Sequence, residues 1–388
     1  MEAESGQRAY DFCRRLVEEI GPRPAGSPAE RAALEMLAAE AQRLGYQVSW
    51  QAFDFVPLAT FFPYYSLAAA ALLVSAALLF VFPWAVLGLP LVFHALPELN
   101  EFLRRRWPRR ASSANLLAWP AGTEPAAIKL LLCAHVDSTR AMPAGGRFVQ
   151  ALRREVFPLL DRLSLILIAV GVASGLGLLA APGLRAAGAA LAALSAAGLA
   201  ALDVYDQRGT RGRFTVGAND NASGVGVLAA LMQDLAGTGS QVGFLFTGAE
   251  ETGLDGASAF AHRLAGEAGH PAVISVDMVG AGSALRVITG TRSLTRLHTD
   301  ASLNRLLLRA DPLAQPHLAV RRSGDFAPFL HAGIPASAIE SNGTPQSWRA
   351  YHTGEDDLDL LDPLMLRHTL DVLNQAVRIF ERSQAQED

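Results

Sequence analysis

The sequence predicts an α/β fold: a mixed, largely parallel sheet covered by helices on both faces, with two apolar helical hairpins inserted. Three observations carry that expectation. Short apolar runs of buried-strand type recur: "IKLLLCAH", "QVGFLFTG" and "PAVISVDMVG". Helical segments alternate with them, and such alternation implies a sheet covered on both faces. Two long stretches almost free of charge interrupt the pattern.

The elements follow in order. The opening "MEAESGQRAYDF" is acidic and polar and matches neither a signal nor a transit peptide. "SPAERAALEMLAAEAQRLGY" is an amphipathic helix, with Ser27 as N-cap, Pro28 at its first position, Glu30 completing a capping box and Gly45 ending it. "YQVSWQAFDF" alternates like a strand, and "NASGVGVLAALMQDLA" reads as a helix packed on the sheet.

Asp54 and Glu98 enclose 43 residues without Asp, Glu, Lys or Arg. A membrane helix needs roughly 20 apolar residues. Pro83 divides the stretch into two helices, about 61–82 and 84–103. Residues 163–184 and 186–202 are likewise uncharged, with Arg185 between them and a turn at "APGLR". The second arm is rich in small residues, which let helices approach closely in a bilayer. A pair of buried hairpins capping a soluble domain is the competing reading. It is disfavoured by arms much longer than an average globular helix. The expected organisation is an α/β domain in three parts, 1–56, 111–138 and 214–388, with hairpins inserted at 57–110 and 139–213.

The outer flanks are basic. "RRRWPRR" (104–110) follows the first hairpin. Arg153, Arg154 and Arg162 precede the second, and Arg208, Arg211 and Arg213 follow it. The turns carry only Arg185, so the positive-inside rule places the flanks and the α/β domain attached to them in the cytoplasm. The formal net charge of -4 argues against nucleic acid as a partner. Lys129 is the only lysine, a sign of compositional bias under which single arginines carry little weight. Cys13 and Cys133 lie in apolar contexts without metal-type spacing, which fits a reducing compartment and no disulfide framework.

In sheets of this kind, sites gather at the carboxyl ends of the strands. Those ends hold His135 and Asp137 in "LLLCAHVDS", Glu250 and Glu251 in "FLFTGAEETG", and Asp277 in "VISVDMVG". Asp220 stands just before a helix in "TVGANDNASG", and "YHTGEDD" offers His352. Each alone reads as an ordinary loop or cap residue. Together, at separate element ends, imidazoles and carboxylates without thiolates suit zinc, or cobalt or manganese, with open positions. Two adjacent glutamates closing an apolar strand would otherwise repel each other and cost several kcal/mol, in order of magnitude, on burial.

The ordered set "AHVDS", "GANDNASGVGVL", "FTGAEETGLDGA", "SVDMVG" and "YHTGEDDLDLL" resembles the M28 family of dinuclear zinc peptidases. "IGPRPAGSPAE" and "HAGIPASAIES" match the family's flanking segments. The resemblance covers roughly residues 10–56, 111–138 and 214–380. It implies a three-layer α/β/α sandwich, aminopeptidase or carboxypeptidase activity, and two zinc ions. On it, His135 and Asp277 would bind one zinc, Glu251 and His352 the other, and Asp220 both. Asp137 would orient the His135 ring. Glu250 would be the general base, with a cis peptide at Asp220–Asn221. The implied function is a membrane-embedded metallopeptidase, an aminopeptidase acting on peptides with a free N-terminus.

Phe326 departs from the pattern, because many relatives carry histidine there. The substrate-binding residues are therefore left open. Two other readings share the fold. A glutaminyl-cyclase-like acyltransferase tends to work with one zinc and part of the ligand set. A non-catalytic membrane scaffold or receptor tends to lose ligands or the base.

Overall fold

The computed structural model describes residues 2–56, 64–93, 95, 106, 111–143, 147–178, 182–210, 212–266, 269–292, 296–320 and 322–387. In chain order these hold α1 (Glu2–Arg15), α2 (Pro28–Arg43), β1 (Tyr46–Phe55), α3 (Tyr64–Val81), β2 (Ala111–Pro120) and β3 (Leu130–His135). Then come α4 (Arg147–Gly175), α5 (Pro182–Thr210), α6 (Ser223–Leu235), β4 (Val242–Thr247), α7 (Asp255–Leu264) and β5 (Ala272–Val276). The chain continues with β6 (Leu285–Arg292), β7 (Arg296–His298), α8 (Ala301–Ala310), β8 (Gln315–Val320) and α9 (Phe326–His331). It finishes with β9 (Ala336–Ser341), α10 (Pro345–Ala350) and α11 (Pro363–Glu387). The chain forms two compact units. The first holds Met1–Thr60, Pro108–Ala141 and Arg213–Asp388; the second holds Phe61–Trp107 and Met142–Gly212.

The first unit is built on a mixed nine-stranded sheet in the order β1-β2-β4-β3-β5-β9-β6-β7, with β8 paired to β6. The predicted fold class holds. Strands β4, β3, β5 and β9 are parallel neighbours. Their runs are buried at nearly every position because helices cover both faces. One face packs Leu34 and Leu37 of α2, Val227 and Leu231 of α6, and Leu370 and Leu373 of α11 against Leu132, Phe244 and Ile274. The other packs Phe260 of α7 and Phe329 of α9 against Leu131, Leu245 and Val273.

Local sequence explains the entry to α2. Ser27 Oγ accepts the Glu30 amide at 3.2 Å, with Pro28 leading the helix, and Gly45 follows its end at φ 85°. The capping box is corrected. The Ser27 amide donates to Pro24 O at 2.9 Å, and the Glu30 carboxylate instead accepts from Gly26 N at 2.7 Å and turns inward. Glu30 is buried, so its carboxylate takes partners from the sheet rather than from its own helix.

Both insertions leave and rejoin the first unit at paired positions. Phe55, the last residue of β1, is in register with Ala111, the first of β2. Ala141 N donates to Arg213 O at 3.0 Å, beside an antiparallel bridge between Arg140 and Phe214. A segment that exits and returns at neighbouring residues leaves the register of the first unit undisturbed.

The second unit is helical. Its core joins Leu72 and Leu79 of α3, Leu163 and Leu167 of α4, and Ala192 and Ala196 of α5. The predicted break at Pro83 is present, since Phe82, preceding proline, is held at φ -147° and ψ 79° outside the helical region. The second arm differs from the expected helix at 84–103. It opens as a 3-10 helix, Pro83–Gly88, and turns helical at 89–93; 94 and 96–103 lie outside the described residues. Gly171 and Gly175 of α4 receive this arm. A Cβ at Gly171 would lie 2.3 Å from Val86, and one at Gly175 would lie 2.4 Å from Trp84. Helix α4 begins well before residue 163, and α5 starts with Pro182, so the turn precedes "PGLR".

Nearly all the exposed large apolar side chains among the described residues lie in this second unit; Leu313 and Leu364 are the exceptions. Pro158–Gly175 and Pro182–Asp206 are long and apolar enough to cross a membrane, yet only 39% and 33% of those windows are buried. Polar groups cluster at one end, where Arg153 pairs with Asp206 and Ser66 with Asp203. At the other end Arg185 donates to Ser174 O at 3.3 Å. Of the basic flanks, Arg106, Arg162, Arg208 and Arg213 are exposed; most of 104–110, and Arg211, lie outside the described residues.

Phe244 is fully buried in the sheet, edge-on to Tyr46 at 5.8 Å. Phe244→Ala is expected to destabilise the first unit by about 3–5 kcal/mol. Thermal or denaturant unfolding followed by near-ultraviolet circular dichroism checks this.

Candidate metal centre

Three adjacent parallel strands end together. His135 closes β3, Glu250 and Glu251 follow β4, and Asp277 follows β5. Asp220 enters from the turn Ala218–Ala222 that leads into α6. His352 lies in the loop after α10. The Asp220–Asn221 peptide is cis. Of the four non-glycine residues with positive φ among those described, three are Ala249 (54°), Met278 (50°) and His352 (56°). They precede Glu250, follow Asp277 and carry the second imidazole. Left-handed backbone at such residues is uncommon and marks places where the surroundings over-determine the chain.

The predicted residues converge. His135 Nε2 lies 3.2 Å from Asp220 Oδ1 and 3.6 Å from Asp277 Oδ1. His352 Nε2 lies 3.2 Å from Asp220 Oδ2 and 3.4 Å from Glu251 Oε2. Two triads result, His135–Asp220–Asp277 and Asp220–Glu251–His352, the ligand atoms of each within 4.8 Å of one another. Asp220 belongs to both through different oxygens. Glu250 belongs to neither. The His135 and Asp220 side chains are 3% and 7% exposed, whereas Asp277 and His352 are at 23% and 24%, so the pair opens to solvent on the Asp277–His352 side.

Asp137 lies against the His135 ring as expected and has a second role. Its carboxylate accepts the amides of Glu250 at 3.0 Å and Glu251 at 3.1 Å. The His135 Nδ1 is nearer the Asp137 carbonyl, at 3.2 Å, than the carboxylate, at 3.5 Å. The whole residue orients the ring, and the carboxylate chiefly holds the glutamate turn.

Several supporting residues were not singled out in the sequence. Asp356 accepts Asn219 N at 2.8 Å and Asp220 N at 3.1 Å; it stands in "YHTGEDD", where only the histidine drew notice. Asn221 donates to Val276 O at 2.9 Å and accepts Met278 N at 3.2 Å, tying the Asp220 turn to the strand that carries Asp277. The Tyr351 ring stacks on His352 at 3.8 Å. Phe326 is buried, and with Asp277, Arg322 and Glu340 it lines a pocket beside the first triad. Of the remaining histidines, His368 pairs with Asp311 at 2.9 Å, and His94 lies outside the described residues.

Acid groups dominate the electrostatics. Burial, followed by the charges of Asp220 and Glu250, pushes Glu251 well above the usual carboxylate range. Burial likewise raises Glu250, helped by Asp325, Asp277 and Asp137 and opposed by His135. For His135 burial disfavours the cation, but Glu250, Asp137, Asp220 and Asp277 prevail and hold it well above the ordinary imidazole range. Asp220 is the exception, because its two imidazole partners outweigh burial and depress it.

Divalent ions fit this arrangement. The donors are imidazole nitrogen and carboxylate oxygen in two triads, and Asp277 Oδ1 is buried without a hydrogen-bond partner. Collected carboxylates need local positive charge, which bound cations supply.

The first unit is thus a mixed-sheet α/β domain with paired triads of imidazole and carboxylate around one shared aspartate. Residues 203–377 match peptidase family M28, and the resemblance read from the motifs is borne out there. A leucine aminopeptidase precursor from Bacteroides thetaiotaomicron superposes with TM-score 0.56 at 13% identity, covering 96% of each chain. A zinc aminopeptidase from Bacillus subtilis gives TM-score 0.55 at 15% identity, over 96% of this chain and 94% of that one. A glutaminyl cyclase from Bacteroides thetaiotaomicron gives 0.54 at 13%, over 96% and 97%. These likenesses show a common fold. No curated protein matches the sequence.

Zinc at 100 times its dissociation constant is expected to stabilise the folded chain by about 2.7 kcal/mol, and a chelator to reverse the gain. Differential scanning fluorimetry with zinc, cobalt and magnesium measures it; magnesium, a poor match for imidazole, is expected to have little effect.

Proposed function

We propose that this chain is a two-zinc aminopeptidase held in a membrane by two helical hairpins, with its peptidase domain on the cytoplasmic side. The observation that carries the reading is Asp220, whose two oxygens each face a different histidine at 3.2 Å. His135 and Asp277 would hold one ion, Glu251 and His352 the other, and Asp220 both. When bound, two zinc ions polarise the scissile carbonyl and lower the pKa of water at the site. Glu250, outside both triads, takes the proton of the attacking water and returns it to the leaving amine. Asp137 fixes the backbone from which Glu250 and Glu251 project, and Asp356 fixes that of Asp220. The solvent-open Asp277–His352 side would admit the peptide terminus.

The M28 match supports peptide hydrolysis, and the aminopeptidase neighbours support the choice of terminus. Glutaminyl cyclases share the fold equally well, which gives a second reading. Two complete triads weigh against it.

Glu250→Ala is expected to keep the zinc-dependent thermal shift and to lose about 100-fold or more in kcat. A near-normal rate would refute its role as base. Peptides with a free N-terminus are expected to be cleaved and their N-acetylated forms spared. Equal cleavage of both would refute an aminopeptidase, and cyclisation of N-terminal glutamine without hydrolysis would favour the cyclase reading.

Anchoring rests on the exposed apolar surface of the second unit. An apolar helix not buried in its own protein requires another apolar phase. Each insertion must cross an even number of times, because its ends are hydrogen-bonded neighbours or register partners. The chain is expected to need detergent for extraction, and a C-terminal reporter is expected to read cytoplasmic. Extraction as a soluble monomer would make the hairpins a cap; an external reporter would overturn the orientation.

A further inference from the structure

The segment "GPRPAGSPAE", residues 21–30, has no part in the ligand set, yet its two charged side chains point inward and reach the loops that carry His135, Asp220 and the Glu250–Glu251 pair. Arg23 is fully buried. Its Nε donates to Val136 O at 2.8 Å, between His135 and Asp137. Its Nη1 donates to Val216 O at 2.8 Å and Gly21 O at 2.9 Å, and its Nη2 to Gly217 O at 3.1 Å. Its own amide donates to Ser138 Oγ at 2.9 Å, and Ser138 N returns a bond to Arg23 O at 2.9 Å. One guanidinium thus ties the His135 loop to the strand end leading into Asp220. A planar fork of five donors can hold several carbonyls at fixed angles; an ammonium cannot.

Glu30 does the same for the third loop. Its Oε1 accepts Ala249 N at 2.9 Å, while Oε2 accepts Gly26 N and Ser113 Oγ, both at 2.7 Å. With Asp137 on the next two amides, three successive N–H groups, 249 to 251, end on buried carboxylates. Ala249 is held at φ 54° in the process. The fit is close: a Cβ on Gly248 would lie 2.7 Å from Glu30 Oε1 and 2.4 Å from Ser113 Oγ. Such a row of amides fixes the direction in which Glu250 and Glu251 leave the strand.

We infer that Arg23 and Glu30 are positioning residues that together set the mutual placement of the loops carrying His135, Asp220 and the Glu250–Glu251 pair. The inference rests on the metal-centre reading above for its effect on zinc, though the clamp itself does not. Groups that orient ligands without touching the metal change affinity or activity by about 10–100-fold when altered.

The test uses the full chain with Glu30→Gln, which keeps volume but sets an amide donor against backbone donors, and Arg23→Lys, which keeps charge but loses the fork. Arg8→Gln, which breaks an ion pair to Asp234 at 2.6 Å remote from the ligand loops, is the control for stability alone. Hydrogen exchange on the metal-free protein should speed up locally, at 248–252 for Glu30→Gln and at 134–138 and 215–220 for Arg23→Lys. Strand β9 should stay at wild-type rates. Zinc affinity, measured by chelator competition, should fall about 10–100-fold for both variants and stay unchanged for Arg8→Gln despite a lowered melting temperature. Wild-type exchange in those loops, or exchange raised uniformly across the sheet, overturns the inference. So does wild-type zinc affinity in both variants. Local exchange changes in a protein whose wild type binds no zinc would leave the clamp standing and refute the metal-centre reading instead.

Discussion

One carboxylate between two imidazoles sets the terms for the first unit. Asp220 faces His135 with one oxygen and His352 with the other, and the histidines come from widely separated parts of the chain. Holding them there requires strands β3, β4 and β5 to end side by side, and the turn before α6 to be fastened from several directions. Asp356 takes its amides, Asn221 binds it to the Asp277 strand, and Arg23 holds the residues that lead into it. The arrangement also gathers Asp137, Glu250, Glu251 and Asp277 into a poorly solvated space. Like charges so confined oppose folding unless cations or donors answer them. Backbone amides answer Asp137 and Glu30; in the proposed function divalent ions would answer the rest.

The fold and the residues that converge at the strand ends were legible because both break a simple pattern. An apolar run that stops at histidine, glutamate or aspartate is visible without any long-range information. The supporting shell was not legible, for physical reasons. Glu30 satisfies the capping-box spacing, so a local rule accounts for it completely, while its decisive partner, Ala249, lies 219 residues away. Arg23 was discounted with the other arginines because composition explained their abundance, and nothing in one sequence marks a guanidinium as buried. Asp137 shows the same limit: its place beside His135 was evident, but not that its carboxylate would serve the glutamate turn first.

The hairpins divide differently. Among the described residues, the break at Pro83 and the two long apolar helices of the second insertion were legible from proline and charge-free length. Their internal structure did not, because the conformation after Pro83 depends on what receives it. Gly171 and Gly175 provide that surface, and the arm packs on them as a 3-10 helix. The alanine-rich region forms the longer continuous helices, although alanine contributes little transfer energy per residue. Among the described residues, apolar exposure is concentrated in this unit and scarce in the first.

The most direct test of the central claim is metal stoichiometry. Purified chain dialysed against limiting free zinc, then analysed by inductively coupled plasma mass spectrometry, should carry about two zinc ions per chain, because the site has two triads. Asp220→Ala, which removes the shared ligand, should lose both. One zinc in the wild type, or two retained in Asp220→Ala, would contradict a centre built around a bridging Asp220.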